Sequence, residues 1–121
     1  MLSDAGQPGP VLVNSYDYVR ASGQKAKFLG LAVAGPWIEP AFEEKGVPQA
    51  LRPAVIEILI DSFAAMLDAV AVSPVAAGRF VRVETRNVVA GRWKDEIHPS
   101  RTGAIAVADV FETALRTAGV L

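Results

Sequence analysis

The chain of 121 residues contains no cysteine. That excludes disulfides, thiolate metal sites and a cysteine nucleophile. It contains one histidine, a thin basis for a metal centre, and no metal or cofactor is expected. Neither sign of charge dominates, with 12 Lys and Arg against 13 Asp and Glu and a net charge of -1. No basic patch stands out, so a nucleic-acid partner is not expected. Long uncharged apolar runs are also missing. The most apolar stretch, Ala54 to Val72, carries Glu57, Asp61 and Asp68, which argues against a membrane span. Met1 to Pro10 is polar and turn-rich, unlike a signal peptide. These absences point to a soluble, cytoplasmic protein.

Apolar residues, by contrast, are plentiful. They make up 51% of the chain, and the mean hydropathy is +0.29. The length allows one domain with a modest core. A small core cannot hide so much apolar surface, so part of it is expected to meet a partner.

Residues 1–9 are rich in Gly, Pro, Ser and Asp and are expected to form a disordered lead-in to a domain at 10–121. Val11-Leu12-Val13, ending in Asn14-Ser15-Tyr16-Asp17-Tyr18, suits a strand buried on both faces, with its polar end at the C-terminal edge. In open α/β sheets that edge is where ligands bind. Residues 19–36 hold Gly23, Gly30, Gly35 and Pro36 and are expected to form a long loop. Gly30 to Gly35 lacks the spacing of a dinucleotide-binding turn. A short helix is expected within Pro36 to Lys45, stopped by Gly46.

The longest predicted helix runs from Pro48 to about Val72. Leu51, Val55, Ile58, Leu59, Phe63, Met66, Leu67 and Val70 recur at spacings of three and four and are expected to face the core. Glu57, Asp61 and Asp68 take other faces, read as solvated. Ser73-Pro74 ends the helix. Arg79 to Glu84 alternates polar and apolar, as a strand does. Strand, helix and strand imply a right-handed parallel crossover. A last helix is expected from near Thr102 to Thr117, capped by Ser100 or Thr102, with Ile105, Ala108, Phe111 and Leu115 as its buried stripe and Gly119 at its close.

Between the second strand and the last helix lies Trp93-Lys94-Asp95-Glu96-Ile97-His98-Pro99-Ser100. An acid three residues before the only histidine admits several readings. Asp95 and His98 fit the acid and base of a Ser-His-Asp system, in which the acid fixes the imidazole tautomer. Asp95, Glu96 and His98 fit a metal site weakly. His98 alone fits a general base. A structural reading, in which Asp95 caps a turn and His98 is an ordinary loop histidine, stands beside them.

This block, with Gly103 and the helix after it, resembles the last conserved block of the SGNH (GDSL-like) hydrolase family, an Asp-x-x-His-Pro segment between the last strand and the last helix. Val11–Val13 leading into Tyr16-Asp17-Tyr18 resembles the fourth strand of one branch of that family. Gly35-Pro36-Trp37-Ile38 resembles its following loop, and Phe80–Arg86 its fifth strand. The resemblance spans about residues 10 to 117. It implies the C-terminal half of a flavodoxin-like three-layer α/β/α sandwich, with two parallel strands and about three helices, acting on esters, acyl groups or acetylated sugars. His98 is then the catalytic base and Asp95 its orienting acid, while Tyr16, Asp17, Tyr18 and Trp37 line a substrate pocket.

No Gly-Asp-Ser block, and none of the family's oxyanion-hole segments, occurs in these residues. The nucleophile of such an enzyme is therefore missing from the chain. Ser15, at the strand end expected to face His98, is the one serine placed near the pocket, and no helix N-terminus follows it to supply an oxyanion hole. Two strands are too few for a stable sheet. A homo-oligomer, or a second chain that completes the sheet, is accordingly the expected partner, with an ester-type small molecule as substrate. The alternative function is a non-catalytic interaction or small-molecule-binding module.

Overall fold

The computed structural model describes residues 9–76 and 78–121. The expected lead-in lies, apart from Gly9, outside the described residues. The chain is a mixed α/β fold. β1 (Val11–Asn14) and β4 (Phe80–Val83) form a parallel pair, with Val11 opposite Phe80 and Asn14 opposite Val83. The β-branched residues of both strands favour an extended backbone that packs on both faces. Between them in sequence come the hairpin β2 (Ala26–Phe28) and β3 (Leu31–Ala34), the short helix α1 (Glu39–Glu44) and the long helix α2 (Arg52–Ala71). Helix α3 (Arg101–Thr117) follows β4.

α2 spans about 30 Å at 1.5 Å per residue. Pro53 sits in its first turn, where the missing N–H costs nothing. At its end, the Ser73 hydroxyl donates to the Val70 carbonyl at 2.7 Å. α3 starts at Ser100, whose Oγ accepts from the Gly103 amide at 3.3 Å. Gly103 is required for close approach. A Cβ there would stand 2.6 Å from the Arg92 carbonyl oxygen. The helix therefore begins directly on the loop that carries the histidine.

The segment expected as one loop at 19–36 contains a hairpin instead. Leu29 and Gly30 both have positive φ, 49° and 82°, which matches the twist of a two-residue hairpin turn. Leu-Gly is an unusual pair for that turn, and the period-two signal over strands of three and four residues is too short to read. The hairpin exposes Phe28, Leu29, Leu31 and Val33.

The two helical stripes are also corrected. On α2, the buried residues are Ile56, Ala64 and Leu67. Ile58 and Leu59 are 65% and 60% exposed, and Leu51, Met66 and Val70 are exposed too. The helix is apolar nearly all round, so spacing alone did not say which face turns inward. On α3, Phe111 and Leu115 are half-buried as expected, but Ile105 and Ala108 face solvent, and Ala106, Val107, Val110 and Ala114 are half-buried in their place. Of the acids of α2, Glu57 is exposed as expected, and the other two are not simply solvated. Asp68 pairs with Arg82 of β4, and Asp61 pairs with Arg86 at 2.7 Å and accepts from the Tyr18 hydroxyl at 2.7 Å. Solvent screens exposed pairs of this kind, so they add little to stability. Their effect is to orient α2 with its acidic edge over β4.

The remaining α2 face is continuous and uncharged. From Val55 to Val70, the residues between the exposed apolar side chains are Ser62, Ala65 and Ala69. At one end Val70 borders a shallow apolar notch together with Val11 and Phe80. Midway along the helix Phe63 meets Tyr16 edge-on, with ring centroids 6.0 Å apart. The half of this face from Phe63 to Val70 therefore borders β1 and the residues just after it. Among the described residues β1 pairs with β4 alone, so its second edge is unpaired. No helix among the described residues is long and apolar enough to cross a membrane.

Candidate active site

The loop 92–100 closes on itself at the C-terminal end of β4. Trp93 bridges to Pro99, the Lys94 amide donates to the His98 carbonyl at 2.8 Å, and the Ser100 amide donates to the Arg92 carbonyl at 2.7 Å. Inside this turn Asp95 is 2% exposed. Its Oδ1 accepts from the amides of Ile97 and His98 at 3.1 and 2.9 Å. The same carboxylate lies 2.9 and 3.0 Å from His98 Nδ1. Asp95 thus does two things at once, since it caps the turn and holds the imidazole. The ring presents its other face outward, with the His98 side chain 55% exposed. Among the described residues nothing hydrogen-bonds Nε2.

Burial acts most strongly on Asp95 and pushes its pKa up. The amides of His98 and Ile97 and the imidazole together outweigh it, so the carboxyl sits below its ordinary value. A carboxyl lowered by folding adds stability above its unfolded pKa of about 3.9 and loses it as the pH falls through the folded value. Unfolding free energy, measured by urea titration across pH, is therefore expected to decline below about pH 4. Asp95→Asn is expected to flatten that decline.

The indole of Trp37 stands edge-on to the imidazole, with ring centroids 5.0 Å apart and planes at 76°. Gly35 makes this possible. It has φ of 78°, and a Cβ on it would stand 2.8 Å from the indole. Trp37 is placed, in turn, by Glu96. That side chain is 0% exposed, and its carboxylate accepts from the amides of Gly23, Trp37, Ile38 and Glu39. Glu96, read from the sequence only as a weak metal ligand, is thus the anchor between the histidine loop and the segment from Gly23 to Glu39. Its neighbours in sequence gave no sign of this, because all four donors lie more than fifty residues away. No group of three or more His, Asp and Glu among the described residues is placed to hold a metal ion.

The Ser15-to-Tyr18 stretch is not one pocket wall. Ser15 is 0% exposed, in the seam between β1 and β4. Its Oγ bonds Glu84 Oε1 at 2.9 Å and accepts from the Thr85 amide at 3.0 Å. The Ser15 amide donates to the Val83 carbonyl, so the residue stays in the seam and does not line the cleft, where it was expected. Tyr16 is exposed and turned onto Phe63. Asp17 is buried, and its two oxygens accept from the amides of Asn87 at 2.7 Å and Val89 at 2.6 Å. Asp17 and Tyr18 do border an open cleft of about 870 Å³, but neither His98 nor Trp37 borders it. Beyond the seam, Glu84 is held well below the usual carboxylate range, chiefly by the Arg86 guanidinium.

Chemically, the arrangement is a buried carboxylate behind an imidazole whose outer nitrogen is open to a reactant. Comparison of the chain with family models, curated proteins and solved structures gives no match.

Proposed function

We propose that His98 and Asp95 are the base and orienting acid of an SGNH-type ester hydrolase site whose nucleophile and oxyanion donors come from a polypeptide outside these residues. The observation that carries the reading is the double approach of the buried Asp95 carboxylate to His98 Nδ1, at 2.9 and 3.0 Å, with Nε2 left open. An anionic partner on Nδ1 makes it the proton-bearing nitrogen and leaves Nε2 as the base toward a hydroxyl. The Asp-x-x-His-Pro block supports the same assignment by resemblance.

The missing polypeptide has a place to sit. The unpaired edge of β1 and the uncharged face of α2 adjoin, so a strand laid on β1 and its helix on α2 would cover both at once. A further copy of the chain could cover this surface, but it has no Gly-Asp-Ser block, so the nucleophile has to come from a different chain. A second reading, a non-catalytic interaction module, is favoured by one observation. Ser15, the serine at the sheet's end, is sealed in the β1–β4 seam.

The test is to recover the tagged chain from its native cells and to compare it with the isolated chain. Size-exclusion chromatography with light scattering reads the assembly. A chromogenic acetate ester reads turnover. The assembly is expected to hydrolyse the ester, and His98→Ala to lower the rate at least about 10³-fold. A stable monomer at micromolar concentration, or an assembly whose turnover survives His98→Ala, overturns the proposal.

A further inference from the structure

The cleft of about 870 Å³ lies between the segment after β1, the first turns of α2 and the loop after β4. It falls in the size range of small-molecule sites, about 300–1,000 Å³. Pro53, the buried Ile56 and Trp93 give its lining an apolar part. The loop that makes its rim is strained. Asn87 and Ala90 have φ of 63° and 47°, a left-handed conformation that costs about 1–3 kcal/mol at a non-glycine residue. Such strain persists only where neighbours enforce it, and here the buried Asp17 carboxylate clamps the amides of Asn87 and Val89. Gly91 completes the device. A Cβ on it would stand 3.0 Å from Arg20 Nη2, so the glycine lets the guanidinium lie across the loop at the cleft's edge.

The polar groups facing this cleft divide in two. Asp17 is held by amides, the Tyr18 hydroxyl is given to Asp61, and Arg52 is met by Glu39 and the Val47 carbonyl. Arg20, Ser22, Gln49, Asn87 and Glu57 line the same cleft, and their side chains make no hydrogen bond among the described residues. The unspent set is balanced. Arg20 only donates, Glu57 only accepts, and the other three do both. Its one positive and one negative charge cancel. A lone anion or cation would meet an opposing charge there. Vicinal hydroxyls, which donate and accept side by side, match the set, and a C–H face of the same molecule matches the indole of Trp93.

We propose that this cleft is a binding site for a neutral carbohydrate, presented as a pyranose ring or a short chain of them. The site is separate from the His98–Asp95 dyad and stands whether or not the dyad catalyses ester hydrolysis. Trp93 backs both, since it lines the cleft and bridges to Pro99 beside His98.

The test is an NMR titration of the ¹⁵N-labelled chain with glucose, N-acetylglucosamine and their β-1,4-linked disaccharides, with benzoate and inorganic phosphate as ionic controls. At least one sugar is expected to shift the Trp93 indole N–H and the Asn87 side-chain amide in a saturable way, leaving the Trp37 indole in place. Arg20→Gln and Asn87→Gly are each expected to weaken binding about tenfold, the loss that goes with one or two hydrogen bonds. Both side chains are exposed, and glycine keeps the backbone at position 87 unstrained, so both variants should fold. The proposal is overturned if no sugar gives a saturable shift, if both variants bind as the wild type does, or if benzoate or phosphate binds more tightly than every sugar.

Discussion

Glu96→Ala is expected to unfold the protein or leave it at the edge of unfolding at 25 °C. The carboxylate is fully buried and accepts from four backbone amides, those of Gly23, Trp37, Ile38 and Glu39. Alanine removes every acceptor and leaves those donors without partners. Each buried, unsatisfied group costs about 1–3 kcal/mol, unless water enters to replace the lost bond. A domain of this size has about 5–15 kcal/mol in all. Two or three unsatisfied amides therefore consume much of the stability. Glu96→Gln is the informative companion. It keeps the shape and one acceptor oxygen, but turns an N–H₂ group toward amides that also donate, so an intermediate loss is expected. Urea unfolding followed by circular dichroism reads both. A midpoint for Glu96→Ala that corresponds to a loss under about 1 kcal/mol would contradict the anchoring role.

Asp95→Asn is expected to separate fold from chemistry. The asparagine Oδ1 can still accept from the Ile97 and His98 amides, so the turn should survive. The negative charge of the carboxylate that faces Nδ1 does not survive. Without it the imidazole has no reason to keep its proton on that nitrogen, and the imidazolium formed during reaction loses its counter-charge. In the assembled enzyme, turnover is expected to fall about 10³- to 10⁴-fold with little change in KM. A KM effect with unchanged kcat would mean that Asp95 shapes substrate binding instead. Asp95→Ala should lose both turnover and stability, since it also removes the turn's cap.

How far the sequence reveals this architecture varies by element. Val11–Val13, Arg79–Glu84 and the two long helices were legible because apolar runs and helical spacing act locally. Ser100 was legible as a cap for the same reason. The face of α2 was not. Its apolar residues nearly encircle the helix, and tertiary packing of Ile56, Ala64 and Leu67, with Asp68 paired to Arg82 of β4 and Asp61 to Arg86 just after it, sets which way it turns. The hairpin at Ala26–Ala34 hid in strands too short to show a period. In the candidate site, Asp95 and His98 stood out by a three-residue spacing that a turn can close. Glu96 and Asp17 did not, because each binds amides distant in sequence. Ser15 lies in the seam and not in a pocket because its hydroxyl is taken by Glu84 and the Thr85 amide, partners about seventy residues away that no local pattern shows.

The proposed chemistry depends on one property, an imidazole held by a buried carboxylate so that Nε2 stays free to take a proton. Long-range ¹H–¹⁵N correlation of His98, at a pH where the ring is neutral, reads this directly. The dyad predicts the Nδ1–H form in the wild type and a shift toward Nε2–H in Asp95→Asn. A wild-type ring that carries its proton on Nε2, or one that is unchanged by Asp95→Asn, would contradict the account.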